Sequence, residues 1–231
     1  MPAVTGTSHN GRGAEVADTR PDAVRAVESS IEALQKFHST VIALALGSGV
    51  LKLITSIEAA EGPIEIYTAA ALSVAFVSTI VPFYHGMSRH LHETHVVPVT
   101  VGSHTKVVPF LLDIFAFIIE AGLLVAMSRA LDAPTLFLVL WSCLLGIDIV
   151  WSLSIWRIQH GPKPKWALNN FLWLVIAWLF WVGVQRVPMT YLDAVAASVL
   201  LVTGIAVVEV LRSVRDYKIN WHYYFPWAQK S

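Results

Sequence analysis

The residues of this chain that could do chemistry are polar side chains set inside long apolar segments. A charged side chain in hydrocarbon costs about 2.5–3.5 kcal/mol, so each one needs a polar partner or a water-filled cavity. Asp113 and Glu120 are seven residues apart and therefore share one face of a helix. Six side chains together predict an intramembrane polar site: Asp113, Glu120, Asp148, Asn169, Asn170 and Glu209.

Histidines are concentrated in the segment FYHGMSRHLHETH, which runs from Phe83 to His95. Imidazole is a common metal ligand, and residues three or four apart lie together on a helix. His92 and His95 could therefore chelate a metal if the helix continues past the membrane. The predicted metal ligands are His85, His92, His95, Asp113 and Asp148. Arg89 and His90 are predicted instead to contact lipid headgroups or another anion.

Several other kinds of site are absent from the sequence. His-Glu-x-x-His, Gly-x-Ser-x-Gly and Gly-rich phosphate loops do not occur. Cys143 is the single cysteine, which excludes an intramolecular disulfide and every multi-cysteine metal site. A divalent metal stays open as a cofactor. Haem is disfavoured, because His38 and His85 as axial ligands would lie only about one helical turn inside the membrane boundary.

The elements that must position these residues are apolar segments. Of the 231 residues, 55% are hydrophobic and 14% are charged, and the mean hydropathy is +0.61. About 20 apolar residues form a helix that crosses a bilayer. The sequence therefore predicts an all-α, polytopic membrane protein with six transmembrane helices, at 36–57, 64–88, 107–128, 134–156, 167–186 and 190–212.

Polar segments flank the predicted transmembrane domain, which covers 36–214. Residues 1–20 are polar and aperiodic and predict a disordered tail rather than a signal peptide. In 21–35, apolar residues recur every three or four positions, which predicts a short amphipathic helix lying on the membrane. Residues 215–231 form a C-terminal segment that is predicted to be cytoplasmic.

Basic residues are distributed unequally between the two predicted membrane faces. All of the 16 Lys and Arg residues except Lys52, Arg129 and Arg186 fall on the face that carries both termini. By the positive-inside rule, both termini are cytoplasmic. Nearly all the buried polar residues then lie in the cytoplasmic half of the membrane, and only Glu120 reaches past the middle.

Three functions of different classes fit this pattern. The first is a cytosol-facing intramembrane carboxylate and histidine site that binds a metal or a small, lipid-like ligand, with or without catalysis. The second is an ion- or proton-coupled transporter or channel, with Glu120 and Asp148 as the transit site. The third is a non-catalytic membrane anchor or effector subunit. We expect membrane lipids as partners and leave self-association open. Nucleic acid is excluded, because 16 basic residues balance 16 acidic ones.

Overall fold

Long helices make up almost all of the chain that the structure describes. The computed structural model describes residues 22–97, 107–159, 165–186, 193–221 and 225, and these residues form no β-strand. The helices are α1 (Asp22–Glu58), α2 (Pro63–Leu91), α3 (Val107–Arg129), α4 (Pro134–Gln159), α5 (Lys165–Arg186) and α6 (Ala194–Ile219). Each is long and apolar enough to cross a membrane, which confirms the all-α architecture and the six predicted spans.

Local chemistry fixes where several helices begin. Pro63 and Pro134 each occupy the first position of a helix, where a missing N–H costs no hydrogen bond. Asp193 caps α6, since its side chain accepts a hydrogen bond from the backbone N–H of Ala196 at 2.6 Å. Because the connections are short, successive helices run in opposite directions.

The first helix is longer than the sequence predicts. The amphipathic segment and the first span are one helix of 37 residues, roughly 55 Å long against a hydrocarbon layer of about 30 Å. Ile31 is 3% exposed and packs with Met87 and Leu91. The apolar stripe of this segment therefore faces the helix bundle, which differs from the predicted separate helix on the membrane surface.

The second helix also continues beyond its predicted end at residue 88. After Leu91 the chain enters a π-helical turn, His92–Val96, in which the N–H of Val97 donates to the carbonyl of His92. Pro82 lies inside α2 without ending it. The histidine segment is thus helical throughout, from Phe83 to His95.

The six helices pack as a closed ring in the order α1–α2–α6–α5–α4–α3 and back to α1. One large apolar core fills the interior, and a second, smaller core lies around Phe117 and Trp151. Large apolar side chains such as Leu44, Val150 and Leu179 are exposed on the outside, as expected for a surface that faces lipid. We call the end at which α1, α3 and α5 begin and α2, α4 and α6 finish the basic end.

Candidate metal centre and buried polar network

Asp113 lies at the centre of a cluster of polar side chains near the basic end. It is fully buried on the second turn of α3. Its Oδ2 atom lies 2.6 Å from Nε2 of His95 and 3.1 Å from Nε2 of His90. Its Oδ1 atom accepts a hydrogen bond from the indole N–H of Trp151 at 2.7 Å. The cluster therefore joins α2, α3 and α4.

The π-helical turn explains why His90 and His95 meet at one carboxylate. Side chains five residues apart on an α-helix point roughly 140° away from each other, because each turn takes about 3.6 residues. A π-helical turn bonds residue i to residue i+5 and brings such side chains to nearly the same side. Thr94 lies in this turn, with its hydroxyl 3.3 Å from Nδ1 of His90.

The cluster has the composition and spacing of a metal site. One ligand atom from each of His90, His95 and Asp113 lies within 4.8 Å of the other two. Two imidazoles and one carboxylate are a donor set used for zinc and for non-haem iron, and they leave coordination positions open to other ligands. Aromatic rings surround the set. The ring of Trp151 lies 4.8 Å from that of His90, and the ring of Phe110 lies 5.1 Å from that of His95.

The structure brings together only part of the predicted metal set. His95 and Asp113 meet, whereas His85 bonds the hydroxyl of Tyr217 through Nδ1 at 2.8 Å. His92 is exposed and lines a cavity beside α1. His85 and His92 therefore lie outside the group of side chains that meets at Asp113, because the π-helical turn changes which histidines face α3. His90, which the sequence predicts to contact headgroups, lies beside Asp113 in their place. The sequence pattern does not show this contact, because it depends on the change of helical register in the π-helical turn.

Asp148 belongs to a second network, farther along the interior of the bundle. It accepts a hydrogen bond from the amide Nδ2 of Asn170. The Oδ1 atom of Asn170 accepts from Nη1 of Arg212 at 3.0 Å, and the same guanidinium donates to both carboxylate oxygens of Glu209, at 2.7 and 2.8 Å. Trp141 also donates to Glu209, at 2.8 Å. Glu209 and Arg212, three residues apart on α6, therefore form a buried ion pair, and Asp148 is not a ligand of the same site as Asp113.

Ser213 connects this network to α2. Its hydroxyl donates to the backbone carbonyl of Ser78 at 2.6 Å and lies 3.3 Å from Glu209. Four helices, α2, α4, α5 and α6, are thus joined through buried polar groups. This is the usual role of hydrogen bonds between helices in a membrane, where packing supplies much of the remaining stability.

Glu120 and Asn169 are buried but differ from the other predicted site residues. Oε1 of Glu120 and both amide atoms of Asn169 have no hydrogen-bond partner among the residues that the structure describes. The charged groups that act most strongly on Glu120 are the carboxylates of Asp148 and Asp113. Buried polar atoms without protein partners are places where water or a ligand supplies the missing bonds.

The fold and the cluster define a class, a helical protein compatible with multi-pass insertion in a membrane and carrying a buried His–Asp cluster. No family model, curated protein or solved structure was found to match this chain. Its function must therefore be argued from the geometry of its own residues.

Proposed function

We propose that the protein is an integral membrane metalloprotein that binds a divalent metal ion through His90, His95 and Asp113. The single observation that carries the proposal is the convergence of three ligand atoms within 4.8 Å of one another. They come from two successive helices and lie 23 and 18 residues apart in the sequence, and His95 and Asp113 are almost completely buried. Both imidazoles approach the same carboxylate oxygen, Oδ2 of Asp113, so the three ligand atoms are directed at one point.

The donor set suits a metal that also binds a ligand or substrate. Three protein ligands leave at least one position of a tetrahedral ion open, where the metal can polarise a bound group or activate water. Trp151 holds the second oxygen of Asp113, as outer hydrogen bonds commonly orient metal-binding carboxylates. The site lies about 9 Å along α3 from its first residue. A ligand that reaches it at this depth is small or lipid-like.

The positive-inside rule places the basic end, and with it the metal centre, on the cytoplasmic side. In this proposal both termini are cytoplasmic and the site opens toward the cytosol. The connections at the opposite end, which include Gly62 and Asp132, are external.

Metal analysis of protein purified in detergent tests the proposal. We expect about one equivalent of a transition metal in the wild type and large losses in Asp113→Asn and His95→Ala. His92→Ala is the matched control, because His92 lies in the same π-helical turn as His95 and is exposed. Equal metal content in all four proteins, or metal in none after reconstitution with zinc and iron(II), would overturn the proposal.

A second function, proton- or ion-coupled transport, is favoured by a separate observation. Among the described residues, five carboxylates are buried but only one guanidinium, that of Arg212. Glu120 belongs to neither hydrogen-bonded cluster, and intramembrane carboxylates often mark ion and proton pathways. If transport is the function, Glu120→Gln should abolish proton-driven flux in proteoliposomes and leave metal content unchanged. Absence of flux in the wild type across a panel of cations would contradict this alternative.

A further inference from the structure

An apolar groove runs along the outer wall of the bundle between α2 and α6. It has a volume of about 620 Å³ and lies toward the basic end. Val77, Val81 and Val214, three of its lining residues, are 47%, 41% and 60% exposed. Nothing in the groove itself is charged until Lys218, which lies at its end together with Trp221. In a membrane, this surface is in contact with acyl chains.

A second, more polar cavity adjoins the groove. Its volume is about 360 Å³, and its lining residues are Gln35, Tyr84, His85, Ser88, Arg89, His92 and Phe225. Tyr217 lines the groove, His85 lines the polar cavity, and the two side chains are hydrogen-bonded at 2.8 Å. The ring of Phe225 stacks on that of Tyr217, with centroids 6.1 Å apart. The groove and the polar cavity therefore meet at one pair of side chains.

The two cavities follow the polarity of a membrane leaflet. About 20 helical residues cross a hydrocarbon layer. If the layer begins at Pro63 on α2 and at Ala194 on α6, it ends near residues 82 and 213. Val77, Val81 and Val210 lie before these positions, at the depth of acyl chains. Arg89, Lys218 and Trp221 lie one to two turns beyond them, at the depth of headgroups.

We propose that this paired site binds one anionic phospholipid from the leaflet at the basic end. An acyl chain lies in the groove between α2 and α6, and the phosphate lies between Lys218 and the polar cavity that contains Arg89. Lys218 is exposed and forms no ion pair within the described part of the chain. Arg89 is bound to Glu93 at 2.5 Å, and a guanidinium with five donors can also bind a phosphate. The site therefore favours a lipid with net negative charge over a zwitterionic one.

Native mass spectrometry of delipidated protein with phosphatidylglycerol or phosphatidylcholine tests this inference. We expect phosphatidylglycerol to bind more tightly. Lys218→Ala should weaken its binding about fivefold, since each basic residue near a membrane contributes about 1 kcal/mol of attraction to anionic lipid. Val81→Trp should remove binding, because the indole occupies the groove.

Matched control variants separate this site from general lipid attraction. Lys165→Ala removes a basic residue of α5 that also lies at the basic end of the bundle. Val150→Trp places an indole on the exposed face of α4. Both should bind lipid as the wild type does, and melting temperatures will verify that all variants fold.

Equal binding of the two lipids would overturn the proposal. Weaker lipid binding in Lys218→Ala but not in Val81→Trp would also overturn it, because surface charge alone would then explain the binding. Weaker binding in Val81→Trp but not in Lys218→Ala would overturn it as well, because the headgroup would then not be recognised. Since none of these residues is a proposed metal ligand, the outcome is independent of the metal centre.

Discussion

Asp113 uses its two carboxylate oxygens for different contacts. Oδ2 faces the imidazoles of His90 and His95, and Oδ1 accepts the indole N–H of Trp151. The indole therefore limits rotation of the carboxylate and keeps Oδ2 directed at the two imidazoles. Such outer hydrogen bonds tune metal affinity without touching the metal.

Replacing Trp151 with Phe should weaken metal binding without removing any ligand. Loss of an outer partner typically costs about 10- to 100-fold in metal affinity. Competition against a fluorescent chelator measures this change. Trp178→Phe is the control, because Trp178 donates to Ser142, away from the cluster. Unchanged affinity in Trp151→Phe would show that Asp113 is held in place without the indole.

The positive charge of Arg212 offsets the negative charge of the carboxylates in the second network. It is fully buried, and the carboxylates that act on it are those of Glu209, Asp216 and Asp148. Removal of one member of a buried ion pair typically costs about 3–5 kcal/mol, because an uncompensated charge stays behind. Arg212→Met should therefore strongly destabilise the fold.

Thermal unfolding in detergent, followed by tryptophan fluorescence, measures this loss. Lys52→Ala serves as the comparison, since Lys52 pairs with Asp132 at 2.5 Å in a partly exposed position, where ion pairs contribute about 0–1 kcal/mol. The double variant Glu209→Gln/Arg212→Met should be less destabilised than Arg212→Met. If Arg212→Met unfolds at the same temperature as Lys52→Ala, the network is not a major source of stability.

At the scale of the elements, small residues decide how closely α5 and α6 approach. A Cβ atom at Gly204 would collide with the ring of Phe180 on α5. Close approach at glycine is a common way for helices to pack in membranes. The contact between α5 and α6 therefore depends on a hydrogen at this position.

Gly204→Ala should lower stability by about 1–3 kcal/mol, the usual cost of overpacking a well-packed interface. Phe180→Leu in the same chain should restore part of the loss by making room. Gly183→Ala is the control, because nothing lies within 4 Å of its Cβ position and alanine is the better helix former. Equal melting temperatures for Gly204→Ala and Gly183→Ala would show that Phe180 moves aside without cost.

At the scale of the whole molecule, the distribution of charge predicts how the bundle would be oriented in a membrane. Arg89, Arg157, Lys165 and Lys218 all lie at the basic end of the described helices. Lys52 and Arg129 lie at the other end, where Lys52 is paired with Asp132. The positive-inside rule then predicts a single orientation.

Reporter fusions test this orientation directly. Fusions after Ser231 and between residues 98 and 106 should report from the cytoplasm, and a fusion at Gly62 should report from outside. A cytoplasmic signal at Gly62 would reverse the orientation of the bundle and place the proposed metal centre on the external side. A sandwich fusion at Asp132 offers a second measurement at the same end.

The sequence by itself determined the six helices and their approximate ends, apart from the start of α1 and the end of α2. In hydrocarbon a helix satisfies its own backbone hydrogen bonds, so each apolar run of sufficient length has only one favourable structure. It also identified Asp113, Asp148, Asn170 and Glu209 as buried polar groups, because such residues are costly in apolar segments.

The tertiary structure decided which of these polar groups meet. Asp113 faces α2 while Asp148 faces α5, and this follows from the order of helices around the ring, which periodicity along one segment does not contain. The selection of His90 over His92 depends on a single π-helical turn, which shifts the register of α2 by one residue and leaves no trace in a pattern based on 3.6 residues per turn.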